Sequence, residues 1–110
     1  MSKRNDRLLI EDMLEAAKKI RFYCDGFTVE QFLGDDRTID AVVRNFEIIG
    51  EAANRVHPDF QAANPQIDWN ALRGFRNRLI HEYFGVDHEI VWQIIETELN
   101  DFIDDLERLS

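Results

Sequence analysis

The run Thr38-Ile39-Asp40-Ala41-Val42-Val43-Arg44-Asn45-Phe46-Glu47-Ile48-Ile49-Gly50-Glu51-Ala52-Ala53-Asn54-Arg55-Val56 carries a stripe of Ile39, Val42, Val43, Phe46, Ile49, Ala53 and Val56. These residues recur at the period of one face of an α-helix. They predict a long helix from Thr38 to Val56, closed by Pro58. The same period extends to both sides. Upstream, Leu8, Leu9, Met13, Leu14, Ala17, Ile20 and Cys24 predict a helix from Asp6 to Cys24, with Asp25-Gly26 as its stop. Thr28-Val29-Glu30-Gln31-Phe32-Leu33 reads as a short helical piece capped by Thr28, with Gln31 three residues on and Gly34 at its end. Downstream, residues 59–66, including Pro65, read as a connector. Asp68 caps a fourth helix bearing Trp69, Leu72, Phe75, Leu79 and Ile80 and ending near Gly85. Asp87 caps a fifth, whose stripe is Ile90, Val91, Ile94, Ile95, Leu99, Phe102, Ile103 and Leu106, with most of its acids on the opposite face. No segment reads as a strand. The predicted fold class is all-α, an up-and-down bundle of four to five helices.

The chain has 110 residues, a common length for one domain, and the expected organisation is a single helical domain over 1–110. A hydrophobic share of 45% excludes wholesale disorder. Cys24 is the only cysteine, so no internal disulfide can form, and a reducing cytoplasm is the expected compartment. No apolar run approaches the roughly 18–20 residues of a membrane span. Met1-Ser2-Lys3-Arg4 is followed by no apolar core that would make a signal peptide. The formal charge is −9, from 22 acids against 13 Lys and Arg. That balance argues against a general nucleic-acid binder, which carries a basic face. It turns attention to where the positive charge gathers.

It gathers in Trp69-Asn70-Ala71-Leu72-Arg73-Gly74-Phe75-Arg76-Asn77-Arg78-Leu79-Ile80-His81, which holds three arginines and no acid. Glu82 and Tyr83 follow. At about 100° per residue, Leu72, Phe75, Leu79 and Tyr83 share a core face, with Arg76 at its edge. Asn77 and His81, at i and i+4, are neighbours on a face pointing away from the core. Gly74 borders that face, and a mid-helix glycine implies close approach of another helix or a ligand there. Trp69 and Ile80 fall off the core stripe. The fourth helix thus has two occupied faces, and the polar one meets something else, a second subunit being one candidate. Arginines on a helix are commonly solvated or paired with acids, and a lone histidine is commonly a surface residue. What sets this segment apart is the joining of Arg, Asn, His and Gly at fixed spacing without local counter-charge.

Other positions offer less. His57, before Pro58 at a helix end, could satisfy terminal carbonyls. His88 sits in a first helical turn. Glu47 and Glu51, at i and i+4, read as partners for an arginine, on the surface or across a dimer. No H-x3-H or Cys–His set suggests zinc and no glycine-rich phosphate loop is present, so neither metal nor cofactor is expected.

Arg76-Asn77-Arg78-Leu79-Ile80-His81-Glu82-Tyr83 resembles the R-x4-H-x-Y signature of HepT-like proteins of the HEPN superfamily. Trp69 upstream, the continuation Phe84-Gly85-Val86-Asp87 and the pattern Glu47-Ile48-Ile49-Gly50-Glu51-Ala52-Ala53 match as well, so the resemblance covers nearly the whole chain. It implies a metal-independent ribonuclease acting as the toxin of a type VII-like toxin–antitoxin pair. The implied fold is HEPN-like, a two-fold dimer whose motif helices face each other to build a composite site. Its implied partners are RNA, either tRNA or mRNA, and an MNT-type nucleotidyltransferase antitoxin that attaches AMP to Tyr83. The chemistry agrees with this assignment. RNA supplies its own nucleophile, the 2′-hydroxyl. His81 is a proton carrier suited to neutral pH. Arg76 is a fixed positive charge for the phosphate, Asn77 can orient His81 or bind phosphate, and Arg73 and Arg78 can hold RNA. On an ideal helix Arg76 and His81 stand about 140° apart, a separation that a second copy of the motif would relieve. The alternative is a catalytically silent helical dimer that binds nucleotide or the nucleotidyltransferase in the same cleft.

Overall fold

The computed structural model describes residues 4–74 and 87–109, and all regular structure among them is helical. Helix α1 (Asp6–Cys24) opens on Asn5, whose side chain accepts the Leu8 N–H at 2.9 Å. It stops at Asp25, and Gly26 follows in the left-handed region at φ 75°, a conformation that costs glycine no Cβ clash. Helix α2 (Val29–Leu33) carries the complete capping box. Gln31 N–H donates to Thr28 Oγ1 at 3.2 Å, and Thr28 N–H donates to Gln31 Oε1 at 2.8 Å.

Helix α3 (Asp36–Arg55) begins two residues before the predicted start at Thr38. The cap is Asp35, whose carboxylate accepts the Thr38 N–H at 3.1 Å. That bond holds the Asp35 carboxyl below its ordinary pKa. Pro58 does more than close α3. It is the first residue of a further helix, α4 (Pro58–Ala63), in the segment the sequence reads as a connector. His57 caps α4: its Nδ1 accepts the Asp59 N–H at 3.1 Å rather than serving the carbonyls of α3. Proline at the first helical position gives up an N–H that would be unpaired anyway.

Helix α5 is described over residues 69–74. Asp87 caps α6 (His88–Thr97) as predicted, accepting the Glu89 N–H at 2.9 Å. The predicted fifth helix is in fact two, because the chain breaks at Glu98 before α7 (Leu99–Leu109). Thr97 Oγ1 donates to the Gln93 carbonyl at 2.8 Å. Such back-bonding to i−4 bends helices. The apolar stripe survives the break with one exception: Ile90 is 43% exposed.

The helices share one core. Its fully buried centre is Ile10, Met13 and Ile20 of α1, Phe32 of α2, Val42 and Ile49 of α3, Val91 of α6, and Ile103 and Leu106 of α7. Helix α1 packs along α3 and α7, while α2 lies against α3 and α6. Each fully buried aliphatic side chain is worth about 1.5–3 kcal/mol, so this shared centre dominates stability. Exposed ion pairs such as Arg7–Glu11 at 3.6 Å add little. No described helix is long and apolar enough to cross a membrane.

Candidate functional site

Arg76, Asn77, Arg78, His81 and Tyr83, like Ile80, lie outside the described residues. The structure describes the platform that leads into them. Asp68 opens α5 as predicted, its carboxylate accepting the Ala71 N–H at 3.0 Å. Trp69 is not off the core stripe: it is 6% exposed. Its Nε1–H donates to the Asn64 carbonyl at 3.0 Å, and its ring meets Phe60 of α4 edge-on at 6.5 Å between centroids. A buried indole needs an acceptor for its N–H, and the turn after α4 supplies one. The first turn of α5 is therefore fixed to α4.

Arg73 follows one turn on and is half-buried. One terminal nitrogen donates to Gln61 Oε1 at 2.7 Å, and the other donates to Asn70 Oδ1. Gln61 is itself held from the other side: its Nε2 donates to the carbonyls of Val56 at 2.9 Å and Ala53 at 3.3 Å, at the end of α3. Nothing in the sequence marks Gln61. A glutamine in a presumed connector gives no signal, and only a capped His57-Pro58 start would have hinted at the helix that carries it.

Gly74 borders open space. A Cβ built there meets nothing within 4 Å, so the expected close approach does not come from any described helix. Gly74 lines a groove of about 610 Å³ floored by Phe46, Ile49, Leu72 and Phe102, with Asp101 and Asp105 among its acids. Those carboxylates make it a poor seat for a phosphodiester.

The remaining candidates are accounted for locally. Glu47 meets Arg44 at 3.8 Å and Glu51 meets Arg55 at 3.0 Å, all on α3. His88 is half-buried in the first turn of α6. Cys24 is buried, and desolvation pushes its thiol up to about 11, away from nucleophilic chemistry. Among the described residues no group of three His, Cys, Asp or Glu side chains is arranged to hold a metal ion.

Comparison with known families matches residues 13–109 to the Ribonuclease HepT-like model. A candidate RNase of Methanocaldococcus jannaschii is 36% identical over 109 residues, covering 99% of this chain and 90% of its own. The candidate ribonuclease HepT of Thermococcus cleftensis is 37% identical over 97 residues, 88% of each chain. A candidate RNase of Caldanaerobacter subterraneus is 34% identical over 93 residues, covering 84% of this chain and 83% of its own. No solved structure matches. The all-helical fold and the match over 13–109 define an HEPN-type ribonuclease. The chain belongs to the Ribonuclease HepT-like family.

Proposed function

We propose that this protein is a metal-independent endoribonuclease and the toxin of a toxin–antitoxin pair, working in the cytoplasm on tRNA or mRNA. One observation carries the reading: the sequence Arg76-Asn77-x3-His81-x-Tyr83 stands intact inside the segment that matches the ribonuclease family. In the proposed reaction His81 takes the proton of a ribose 2′-hydroxyl. The 2′-oxygen forms a bond to the adjacent phosphorus, the bond from phosphorus to the 5′-oxygen breaks, and the departing oxygen picks up a proton. The products are a 2′,3′-cyclic phosphate and a 5′-hydroxyl. Arg76 faces the negative charge that develops on the phosphoryl oxygens, Asn77 orients His81, and Arg73 and Arg78 hold RNA. A two-fold dimer supplies a second Arg76 and His81, which lets the base and the charge clamp converge on one phosphate.

The test is incubation of the purified protein with total RNA in EDTA. Discrete fragments ending in cyclic phosphate are expected. Intact RNA from protein of unmodified mass would overturn the nuclease reading in favour of a silent binding module.

Regulation follows from the same segment. An MNT-type nucleotidyltransferase transfers AMP from ATP to the Tyr83 hydroxyl, with release of pyrophosphate. The adduct places a negative phosphodiester two residues from His81, where it repels RNA and obstructs the cleft. Incubation with the partner enzyme, ATP and Mg²⁺ is expected to add the mass of one AMP to the wild-type chain and none to Tyr83→Phe. Equal mass gain in both proteins would remove Tyr83 from the scheme.

A further inference from the structure

We infer that Arg73, held by Gln61 and Asn70, forms a phosphodiester-binding site beside the cleavage motif, with Gln61 and Asn70 as its positioning residues. The inference rests on the ribonuclease reading, and it adds two residues that no sequence motif contains.

The arginines of this acidic protein differ in what they bond to. Arg4, Arg7, Arg44, Arg55 and Arg108 each meet a carboxylate. Arg21 makes one bond, to the Asn100 amide at 3.2 Å. Arg73 alone among the described residues is gripped by two side-chain amides, Gln61 and Asn70. A carboxylate partner would cancel the guanidinium charge. An amide oxygen orients the same group and leaves its charge for a ligand. Two of the five N–H donors are used in this way, and among the described residues the others meet no acceptor. A half-buried cation with no counter-ion among the described residues is costly to maintain, and an RNA phosphate supplies a charge of the opposite sign together with acceptors matched to the guanidinium fork.

The cradle is built rather than incidental. Gln61 donates through Nε2 to the Val56 and Ala53 carbonyls, which leaves its Oε1 as the only atom able to face Arg73. Rotating the amide would break bonds on both sides. Phe60 and the turn carbonyl of Asn64 fix Trp69, four residues before Arg73 on the same helix. Helix α4 thus sets both the helix and the side chain. Arg73 lies three residues before Arg76 in sequence, so the phosphate it holds would neighbour the one being cut.

The decisive variant is Asn70→Asp. Asn70 is exposed, and the change is isosteric and leaves the bonds of Gln61 to α3 untouched, but it sets a carboxylate against Arg73. Gln61→Glu and Arg73→Gln are its companions, with thermal melting as the check on folding. The probe is a short 2′-O-methyl RNA oligonucleotide, which the protein can bind and cannot cleave, titrated at several salt concentrations. Asn70→Asp and Arg73→Gln are each expected to weaken binding about tenfold or more, the scale of one lost charge-assisted contact. Each should also flatten the salt dependence by about 0.7 in slope, the release from one phosphate of a single strand. Asn70→Ala, which removes a bond and adds no charge, should do much less. A merely structural role for the cradle would lower the melting temperature and leave the salt slope alone. Wild-type affinity and slope in both Asn70→Asp and Arg73→Gln would overturn the site. If those variants bind like wild type while the wild-type protein cleaves RNA, the site fails and the ribonuclease reading stands. Tight wild-type binding that Asn70→Asp weakens, without cleavage of natural RNA, sinks the nuclease reading and keeps the site. A wild-type protein that does not bind the oligonucleotide overturns the site outright.

Discussion

Replacing His81 with alanine is expected to slow RNA cleavage by about 10²- to 10⁴-fold, the range supplied by a positioned proton carrier. Binding of RNA should change little, because in the proposed reaction His81 acts on the 2′-hydroxyl proton while the arginines hold the phosphates. The two quantities separate cleanly. Single-turnover cleavage of a natural oligonucleotide reads the chemical step, and titration with its 2′-O-methyl counterpart reads affinity. A loss in cleavage below about tenfold would put the proton transfer on another group. A loss confined to binding would make His81 a contact residue. Folding should not interfere, since His81 falls on the face pointing away from the predicted core stripe.

The second large effect belongs to the core. Phe32→Ala is expected to cost about 3–5 kcal/mol, a large share of the roughly 5–15 kcal/mol that holds a domain of this size together. Helix α2 has only five residues, too few to persist alone. Phe32 is its one buried residue, fully enclosed, with its ring 5.1 Å from that of Trp92 on α6. Truncation leaves a cavity between α3 and α6 and releases the helix. Urea denaturation checks this, with Phe22→Ala as the reference, since Phe22 is 68% exposed and should change stability by no more than about 0.5 kcal/mol. A midpoint for Phe32→Ala close to that of Phe22→Ala would show that α2 adds nothing to the core.

These two residues mark what the sequence makes legible. Long stripes are readable because burial imposes one period over many residues. Helix α1 has the predicted bounds, and the box at Thr28 and Gln31 forms as its spacing indicates. Short elements and single-residue events are not readable in this way. Helix α4 has six residues and buries none of them, so no stripe announces it. The break at Glu98 follows a Thr97 hydroxyl bonded to the Gln93 carbonyl of its own helix, and the apolar period runs through it undisturbed. Trp69 falls outside the stripe on a wheel drawn from Leu72 because its true neighbours, Phe60 and Asn64, belong to a helix and turn that no stripe marks.

The candidate site divides along the same line. Arg76, Asn77, His81 and Tyr83 are legible as a motif because their chemistry is carried by residue type and spacing. They lie outside the described residues. The support for Arg73 is a tertiary arrangement, made by a glutamine twelve residues upstream, and nothing in the local sequence points to it. Family membership, carried by a match over residues 13–109, is legible in the sequence because a motif and a whole-chain helical pattern reinforce each other.

The pairing of α1 with α7 also orders events during synthesis. Arg21 meets Asn100 across 79 residues of chain, whereas α1 and α3 are separated only by α2 and short turns. Closing the shorter loop costs less entropy, so the α1–α3 hairpin is the contact a chain emerging from the ribosome can make early. Until α7 has also emerged, the space that Ile103 and Leu106 fill stays open and the apolar flank of α1 is uncovered. At about 5–20 residues per second, that interval lasts several seconds. During it the nascent hairpin presents to chaperones and proteases the surface that the finished molecule hides.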